Sequence, residues 1–312
     1  MSPLYDDTKA TLAVVLISVS IVVLAAFGKT FGIFRTKTTY ALVGAHEKQS
    51  FVLIDKIVIA KYTRRFRFAL KFPEQVLGLP IGKHVTLSAM IPNPLTGEDA
   101  KYVARQYTPV TTDYAEKGYF DLLVKIYPKN EHARFPEGGW MSQHLDSLPI
   151  GSSVDVKGPG GRIEYLENGN FQVGKRRYRV KSVGMIAGGS GITPMYQLIR
   201  HVLSTRRGTD STNLSLLFGS QHPGDILLRS ELDSLAADCP AQFRLAMTVD
   251  RVEKEEKWNG YLGFVNEDMI KATMPPPGKE TLILLCGPPP MIKLAEGFLL
   301  NLGYDKELMQ VF

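Results

Sequence analysis

Two glycine- and proline-rich turns are the first candidates for chemistry in this chain. GMIAGGSGITPM (residues 184–195) leads from an apolar, strand-like segment into a helical one, and CGPPPM (residues 286–291) follows a second apolar segment. Backbone amides at such a turn can face an anionic or electron-rich ligand, and glycines permit its close approach. The first turn is not the G-x-G-x-x-G fingerprint, because Thr193 stands where the third glycine would be. Taken alone, it predicts a ligand site or a tight connection equally well.

Two further side chains end strand-like segments of the same half. Cys286 is either a small buried core residue or a thiol beside a ligand at the end of its strand. Asp250, in TVD, is either a solvated carboxylate or an acceptor for a ribose diol. In the second role it would repel a 2′-phosphate and favour NADH over NADPH.

A second group of candidates lies earlier in the chain. In RQYTPV, strand alternation puts Arg105 and Tyr107 on one side, with Thr108 next to them. Arginine offers a bidentate fork for phosphate, tyrosine a flat face for an aromatic ring, and threonine a short donor. The alternative is a surface ion pair and a core tyrosine. EGGWMSQHL adds a glycine-led helix start near Trp140, so together these segments predict a phosphate-bearing aromatic cofactor.

The elements that must position these residues differ between the two halves. Residues 51–160 contain short alternating runs separated by turn signals, which predict a small antiparallel β-barrel or sandwich with one short helix. Residues 181–312 alternate apolar strands with helical stretches, which predicts a parallel sheet with helices on both faces. We interpret residues 31–50 as a linker and residues 161–180 as a hinge linker.

The amino terminus predicts a membrane anchor over residues 1–30. Nineteen residues without a charge lie between Lys9 and Lys29. At about 1.5 Å per residue, such a helix spans roughly 28 Å, close to the hydrocarbon core of a bilayer. Basic residues follow this segment, which predicts that the rest of the protein lies in the cytosol. Acidic residues precede it, which favours an uncleaved anchor over a cleaved signal peptide.

Charge and composition exclude several classes of protein. The formal charge is +6, mild for a nucleic-acid binder, so we expect no nucleic-acid partner. Two cysteines exclude a four-cysteine iron–sulfur or zinc site within this chain, and the six histidines show no ligand spacing, so we expect no metal. The basic segment GKRRYRVK (residues 174–181) is either a solvated face or a surface that steers an acidic partner.

These motifs together resemble one flavoprotein family. RQYTPV, GGWMSQ, GMIAGGSGITPM, TVDR, GFVNEDMI, CGPPPM and a terminal VF resemble NADH–cytochrome b5 reductases, within the wider ferredoxin–NADP reductase-like flavoproteins. The resemblance covers about residues 50–312 in unbroken order. It implies an FAD barrel, a Rossmann-like NADH domain, and an amino-terminal anchor typical of membrane-bound members.

The resemblance also implies how FAD is held. Arg105 would clamp the pyrophosphate, Tyr107 would pack on the isoalloxazine, and Thr108 would hydrogen-bond near flavin N5. His84 would continue a proton relay, although alone it reads as a structural histidine. Lys125 would stabilise negative charge on the cofactors, although alone it reads as an exposed strand lysine. The further residues implied to bind FAD are Gln106, Gly139, Trp140, Met141 and Ser142.

For NADH, the resemblance implies a site at the two turns. Thr193 would pack where flavin meets nicotinamide, Asp250 would hold the ribose, and Cys286 would orient the nicotinamide without forming a covalent intermediate. The other residues implied to bind the nucleotide are Gly188, Gly189, Ser190, Gly191, Gly287, Pro288 and Phe312. The residues implied to be catalytic are Thr108, His84, Lys125 and Cys286.

Two positions depart from the family pattern. Gln106 stands where animal members have proline, and the backbone contact should survive. Trp140 replaces a lysine common in GGKMS, which removes a positive charge near the FAD phosphates.

The implied activity is transfer of a hydride from NADH and of single electrons to cytochrome b5, an acidic haem protein. We expect a monomer anchored in the endoplasmic reticulum or the outer mitochondrial membrane. The alternatives are a related reductase that serves another acceptor, such as a nitrate-reducing centre, and a non-catalytic, membrane-anchored nucleotide-binding protein. An iron–sulfur oxygenase reductase is disfavoured by the two cysteines.

Overall fold

The computed structural model describes residues 38–131, 133–204, 210–254 and 257–312. The predicted anchor (1–30) and the first part of the predicted linker lie outside these ranges. Among the described residues, none of the helices combines the length and the apolar character needed to cross a bilayer. Tyr40–Phe312 form one structural unit.

The first half is built on a six-stranded antiparallel sheet, as predicted. Its strands are β1 (Gly44–Ala60), β2 (Thr63–Ala69), β3 (His84–Ile91), β4 (Lys101–Tyr107), β5 (Tyr119–Lys125) and β6 (Ser153–Gly160). Their order in the sheet is β4-β3-β6-β1-β2-β5. The strand β1 begins inside the segment 31–50 that the sequence assigns to a linker.

Alternation of side chains explains why these segments form a two-faced sheet. Phe66 and Phe68 of β2 are fully buried, and Phe68 stacks on Phe120 of β5 with ring centroids 5.2 Å apart. Arg67, between them, points to the other face. There it binds Asp121 through two hydrogen bonds of 2.8 Å each, from Nε to Oδ1 and from Nη2 to Oδ2. Apolar side chains therefore form the core, while charged ones pair outside it.

One short helix, α1 (Trp140–Ser147), packs on this sheet near β3 and β4. Met141 and Leu145 of α1 lie in the same hydrophobic core as Val85 and Leu87 of β3. The core fixes the helix so that its amino end lies beside the edge strand β4.

Between the two halves, residues 161–180 form a small antiparallel sheet. It comprises β7 (Ile163–Tyr165), β8 (Asn170–Val173) and β9 (Arg176–Arg179), in the order β7-β8-β9. The segment predicted to be a hinge linker is thus regular structure. Phe171 is 1% exposed and belongs to the same core as Leu198 of the second half.

The second half is a parallel sheet with helices on both faces, as predicted. Its strands are β10 (Ser182–Gly188), β11 (Asn213–Ser220), β12 (Phe243–Val249), β13 (Tyr261–Leu262), β14 (Thr281–Cys286) and β15 (Met309–Val311), in the order β13-β12-β11-β10-β14-β15. Its helices are α2 (Ile192–Val202), α3 (Arg229–Asp238), α4 (Glu267–Thr273) and α5 (Pro289–Asn301), with 3-10 turns at Gly189–Gly191, Pro223–Asp225 and Lys306–Leu308.

The helices cover the two faces of the parallel sheet in pairs. Leu198 of α2 and Leu232 of α3 share a core with Leu284 of β14. Ile270 of α4 and Leu299 of α5 share a separate core on the opposite face. The first of these cores also includes three residues of the antiparallel half: Ile81, Val110 and Leu123. The helix α2 therefore lies between the parallel sheet and the first half.

Candidate functional site

The two glycine-rich turns meet at the carboxyl edge of the parallel sheet. The strands β10 and β14 are neighbours, with Ala187 opposite Cys286. A Cβ atom added to Gly191 would lie 2.2 Å from the Cys286 carbonyl oxygen and 2.9 Å from Gly287 N. Backbone thus packs directly on backbone, and only glycine fits at position 191.

The glycines at 188 and 287 are enclosed by the start of α5. An added Cβ would approach Met291 Sδ to 2.7 Å at Gly188 and Met291 Cε to 2.6 Å at Gly287. Gly189 differs, because it has φ +54° and no atom lies within 4 Å of an added Cβ. Its open side lines a cleft, so this turn is at once tightly supported and accessible to a ligand.

Thr193 lies in the first turn of α2 and is 7% exposed. Its Oγ1 donates a hydrogen bond of 3.2 Å to the carbonyl oxygen of Ser190. No side chain caps the amino end of α2. The threonine therefore fixes the turn, while the first amides of the helix are left without a side-chain acceptor.

The cleft has a volume of about 610 Å³ and receives residues from both halves. Lys61, Tyr62 and Lys125 come from the antiparallel half, whereas Gly189 and Asp250 come from the parallel half. A volume of this size is within the range of sites for cofactors. Lys125 and Asp250, which the sequence places in unrelated segments, thus face one cavity.

Asp250 follows β12 directly and is exposed beside the cleft. Its backbone N–H donates a 3.1 Å hydrogen bond to the Ser220 carbonyl oxygen, at the end of the neighbouring strand. Partial burial raises the pKa of the Asp250 carboxyl, while Arg251 opposes this shift. The carboxylate is available to accept hydrogen bonds from hydroxyl groups in the cleft.

Cys286 ends β14 and is largely buried. Burial raises the pKa of its thiol to about 11, which leaves it protonated at neutral pH. A protonated thiol is a weak nucleophile, so this environment favours a packing or orienting role. Phe312 lies close to it in the fold, because the Phe312 N–H donates to the carbonyl oxygen of Leu285 at 3.0 Å.

A second cluster forms where β3 and β4 run side by side. The ladder between the two strands ends with Val85 paired to Tyr107, so His84 and Thr108 each adjoin this last pair. Burial, with a smaller contribution from Lys83, lowers the pKa of His84. The histidine is therefore neutral at pH 7, and it lies at the same end of the β3–β4 ladder as the threonine.

Arg105 and Tyr107 share the face of β4 that turns toward α1. Tyr107 is partly buried against the core of the antiparallel half, and burial raises the pKa of its phenol. Arg105 is exposed and donates a local hydrogen bond of 2.8 Å to the Ala104 carbonyl oxygen. Gln106 lies on the opposite face, so its side chain is directed away from this cluster.

The amino end of α1 is tied to the residues that follow β5. Gly139 N–H donates to the Tyr127 carbonyl oxygen at 2.8 Å, and Tyr127 N–H donates to Ser142 Oγ at 3.1 Å. Ser142 Oγ in turn donates to the Gly139 carbonyl oxygen at 2.9 Å. Among the described residues no side chain caps this helix, so its first amides can donate to an anion.

The structure narrows the roles open to two neighbouring residues. The Met141 side chain is 1% exposed and lies in the core, so only its backbone could contact a ligand. Trp140 is also largely buried, and its Nε1–H donates to Glu137 Oε2 at 2.7 Å.

The residues around α1 fit the diphosphate of an FAD molecule. An arginine fork with no ion pair among the described residues and an uncapped helix start lie next to the same strand face. Both provide donors to an anion. The partly buried ring of Tyr107, on that face, suits the aromatic end of the cofactor.

Sequence reasoning missed Lys61, Tyr62 and Lys101 as candidate site residues. Lys61 and Tyr62 form the β1–β2 turn, and only the packing of the two halves brings this turn to the cleft. Lys101 is the first residue of β4, and its Nζ lies 3.4 Å from the centroid of the Trp140 ring. Strand alternation from Arg105 was the one available signal for Lys101.

Comparison with known protein families defines the class. Residues 50–165 match the oxidoreductase FAD-binding domain, and residues 185–297 match the oxidoreductase NAD-binding domain. The two matches coincide with the antiparallel half and the parallel half. The fold is thus that of an oxidoreductase that binds FAD and a nicotinamide nucleotide.

Individual relatives define the family more narrowly. The chain is 45% identical over 307 residues to NADH-cytochrome b5 reductase 2 of Xenopus tropicalis, and the match covers 96% of this chain and 97% of that protein. It is 45% identical to NADH-cytochrome b5 reductase 3 of Rattus norvegicus over 92% of both chains. The cytochrome b5 reductase domain of Ulva prolifera nitrate reductase has a TM-score of 0.81 and 39% identity, and the match covers 88% of this chain and 100% of that domain. The chain belongs to the NADH–cytochrome b5 reductase family.

Proposed function

We propose that this protein takes a hydride from NADH onto FAD and passes single electrons to cytochrome b5. The observation that carries this proposal is the cleft shared by both halves, in which Lys125 of the FAD-binding half faces Gly188 and Gly189 of the NAD-binding half. Hydride transfer needs the two cofactors in contact, and this cleft is where the two binding domains meet.

Bound FAD supplies the redox chemistry, accepting two electrons together and releasing them one at a time. Arg105 and the amino end of α1 would hold its diphosphate, supported by the hydrogen bonds that tie Gly139 and Ser142 to Tyr127. Tyr107 would pack against the ring system.

Thr108 and His84 would serve proton movement at the ring. Both adjoin the last pair of the ladder between β3 and β4, and burial lowers the pKa of His84, which favours the neutral imidazole at pH 7. A neutral imidazole can both accept and donate a proton, which suits a relay from the Thr108 hydroxyl.

The nicotinamide would enter against the GGSG turn. Gly189 leaves room there, Thr193 stabilises the turn through Ser190, and the protonated Cys286 thiol would orient the ring. Asp250 would accept hydrogen bonds from a ribose diol. Lys125 would place a positive charge beside both cofactors.

The test is spectroscopic and then kinetic. The purified protein should be yellow, and the flavin absorbance should bleach when NADH is added without oxygen. Reduction of purified cytochrome b5 should then slow as salt rises, because the steering of an acidic partner is screened. A correctly folded but colourless protein, or one that is not bleached by NADH, would contradict the proposal.

A reductase that serves another acceptor is the second candidate. It is favoured by the 45% identity over 256 residues to nitrate reductase [NADH] 1 of Oryza sativa subsp. japonica, although the match covers only 27% of that protein. Equal turnover with cytochrome b5 and with unrelated one-electron acceptors would favour this alternative over a dedicated cytochrome b5 reductase.

We also propose that the antiparallel half has barrel form. Val103 of one edge strand, β4, and Phe120 of the other, β5, belong to the same core. Inward side chains of both edges meet in this way when a sheet curls toward closure.

Finally, we propose that residues 1–30 anchor the protein, as a monomer, in the endoplasmic reticulum or the outer mitochondrial membrane with its catalytic body in the cytosol. The uncharged run between Lys9 and Lys29 supports this. The full chain should stay with membranes at alkaline pH, whereas a chain that begins at residue 38 should be released.

A further inference from the structure

The strongest unassigned feature is a lysine held over the first residue of α1. Lys101 Nζ lies 3.4 Å from the centroid of the Trp140 ring, at the amino end of the helix. Lys101 is exposed, and within the part of the chain that the structure describes its ammonium group has no ion-pair partner. An ammonium over an indole face is attracted by the ring quadrupole, which restricts a side chain that is otherwise flexible.

The tryptophan is itself fixed in place. Its ring is largely buried in the core of the antiparallel half, and its Nε1–H donates to Glu137 Oε2 at 2.7 Å. The other oxygen of that carboxylate, Oε1, accepts a 3.1 Å hydrogen bond from Asn93 Nδ2. The carboxylate therefore lies at the edge of the indole, where Nε1 is, while the ammonium lies over its face.

Strand geometry relates Lys101 to the proposed diphosphate site. Lys101 and Arg105 are four residues apart on β4 and so point to the same face, on either side of the buried Val103. At about 3.4 Å per residue their Cα atoms are roughly 14 Å apart, a gap that two long basic side chains can close around one anion. The uncapped start of α1 borders the same face.

We propose that Lys101, positioned by Trp140, is a further binding residue for the phosphates of FAD. This inference rests on the FAD binding proposed above. Trp140 is uncharged and does not itself attract a phosphate. Its indole instead holds a lysine from a neighbouring strand at the start of the helix. Lys101 of β4 thereby supplies a positive charge at the start of the helix, where Trp140 itself carries none.

The experiment measures FAD release from the holoenzyme by the recovery of free-flavin fluorescence on dilution, over a range of NaCl concentrations. Lys101→Gln should raise the Kd for FAD by about five- to tenfold at low salt, with a smaller difference at high salt. Lys101→Arg should restore most of the affinity, because a guanidinium also stacks on indole and donates to phosphate.

Lys48→Gln is the matched control. Lys48 Nζ lies 4.9 Å from the ring centroid of Tyr102, the next residue of β4, whose side chain points to the opposite face. Lys48 lies on β1, so this control removes the same charge and a similar aromatic contact on the opposite face of β4, and it should leave the Kd unchanged. Trp140→Leu combined with Lys101→Gln should cost less affinity than the two single changes added together.

Three outcomes would overturn the inference. They are a Lys101→Gln Kd within twofold of the wild type, an equal loss in Lys48→Gln, or a lowered thermal midpoint with no salt-dependent change in Kd. The wild type tests the proposed function separately, since failure to bind FAD at all would contradict that function and not merely the role of Lys101.

Discussion

Replacing Gly191 by alanine should uncouple the two turns at the carboxyl edge of the parallel sheet. The new Cβ would lie 2.2 Å from the Cys286 carbonyl oxygen and 2.5 Å from its carbonyl carbon. Both atoms are backbone at the end of a central strand, so no side chain can rotate away to make room.

The size of the effect follows from these distances. Ordinary contact begins at 3.4 Å, so the turn must move from 2.2 Å to 3.4 Å, a displacement of about 1.2 Å. Overpacking of this kind typically costs about 1–3 kcal/mol of unfolding free energy. A shift of about 1 Å at a reaction centre can lower the rate about 100-fold, because hydride transfer depends on the alignment of donor and acceptor.

Urea unfolding of the holoenzyme, with NADH–ferricyanide turnover and the Kd for FAD, would test this prediction. Gly191→Ala should lose about 1–3 kcal/mol and most of its kcat/KM for NADH, with FAD still bound. Gly297→Ala is the control, because this α5 position has no atom within 4 Å of an added Cβ. That variant should be stabilised by up to about 1 kcal/mol, since alanine favours a helix. Gly191→Ala with wild-type stability and turnover would refute the close packing of the turn on β14.

Three further outcomes are expected. Asp250→Ala should narrow the ratio of kcat/KM for NADH over NADPH, and an unchanged ratio would remove its assignment to the ribose. Because burial raises the pKa of the Cys286 thiol from 9.0 to about 11, its contribution to stability is full below pH 9 and is lost as pH rises toward 11. The unfolding free energy of wild type relative to Cys286→Ser should fall by up to about 2–3 kcal/mol over that interval, whereas parallel pH curves would contradict the burial. Asp121→Asn should cost about 3 kcal/mol in urea unfolding, since it breaks the partly buried pair with Arg67, while Asp55→Asn at a more exposed ion pair should cost under about 1 kcal/mol.

The class of each half was predictable because its signals are local. Continuous apolar strands followed by helical stretches require a parallel sheet, and that topology carries the residues after β10, β12 and β14 to one edge. The ladder of β3 and β4, whose last pair adjoins His84 and Thr108, needed only strand alternation and a short register. These parts of the site therefore follow from the sequence.

Contacts between distant segments could not be predicted in the same way. The segment 161–180 reads as a linker because its last strand is basic, yet Phe171 and Val173 of β8 are buried against residues of the second half. The alternation of apolar and polar residues in β8 and β9 is too short to predict that β8 is buried. Lys61 reaches the cleft only because of how the halves pack, and Lys101 meets Trp140 only because α1 lies beside β4.

The core that α2 shares with the antiparallel half has a consequence for how modular this enzyme is. The two family matches divide the chain between residues 165 and 185, yet Leu123, Phe171 and Leu198 belong to one continuous hydrophobic core across that division. Gln197, 1% exposed, adds a polar link, since its Oε1 accepts a 2.8 Å hydrogen bond from Gly82 N–H. Chimeras that exchange one whole half with a relative should therefore fold only when the residues facing α2 are exchanged along with it. The two halves are thus expected to change together in evolution and not as independent modules.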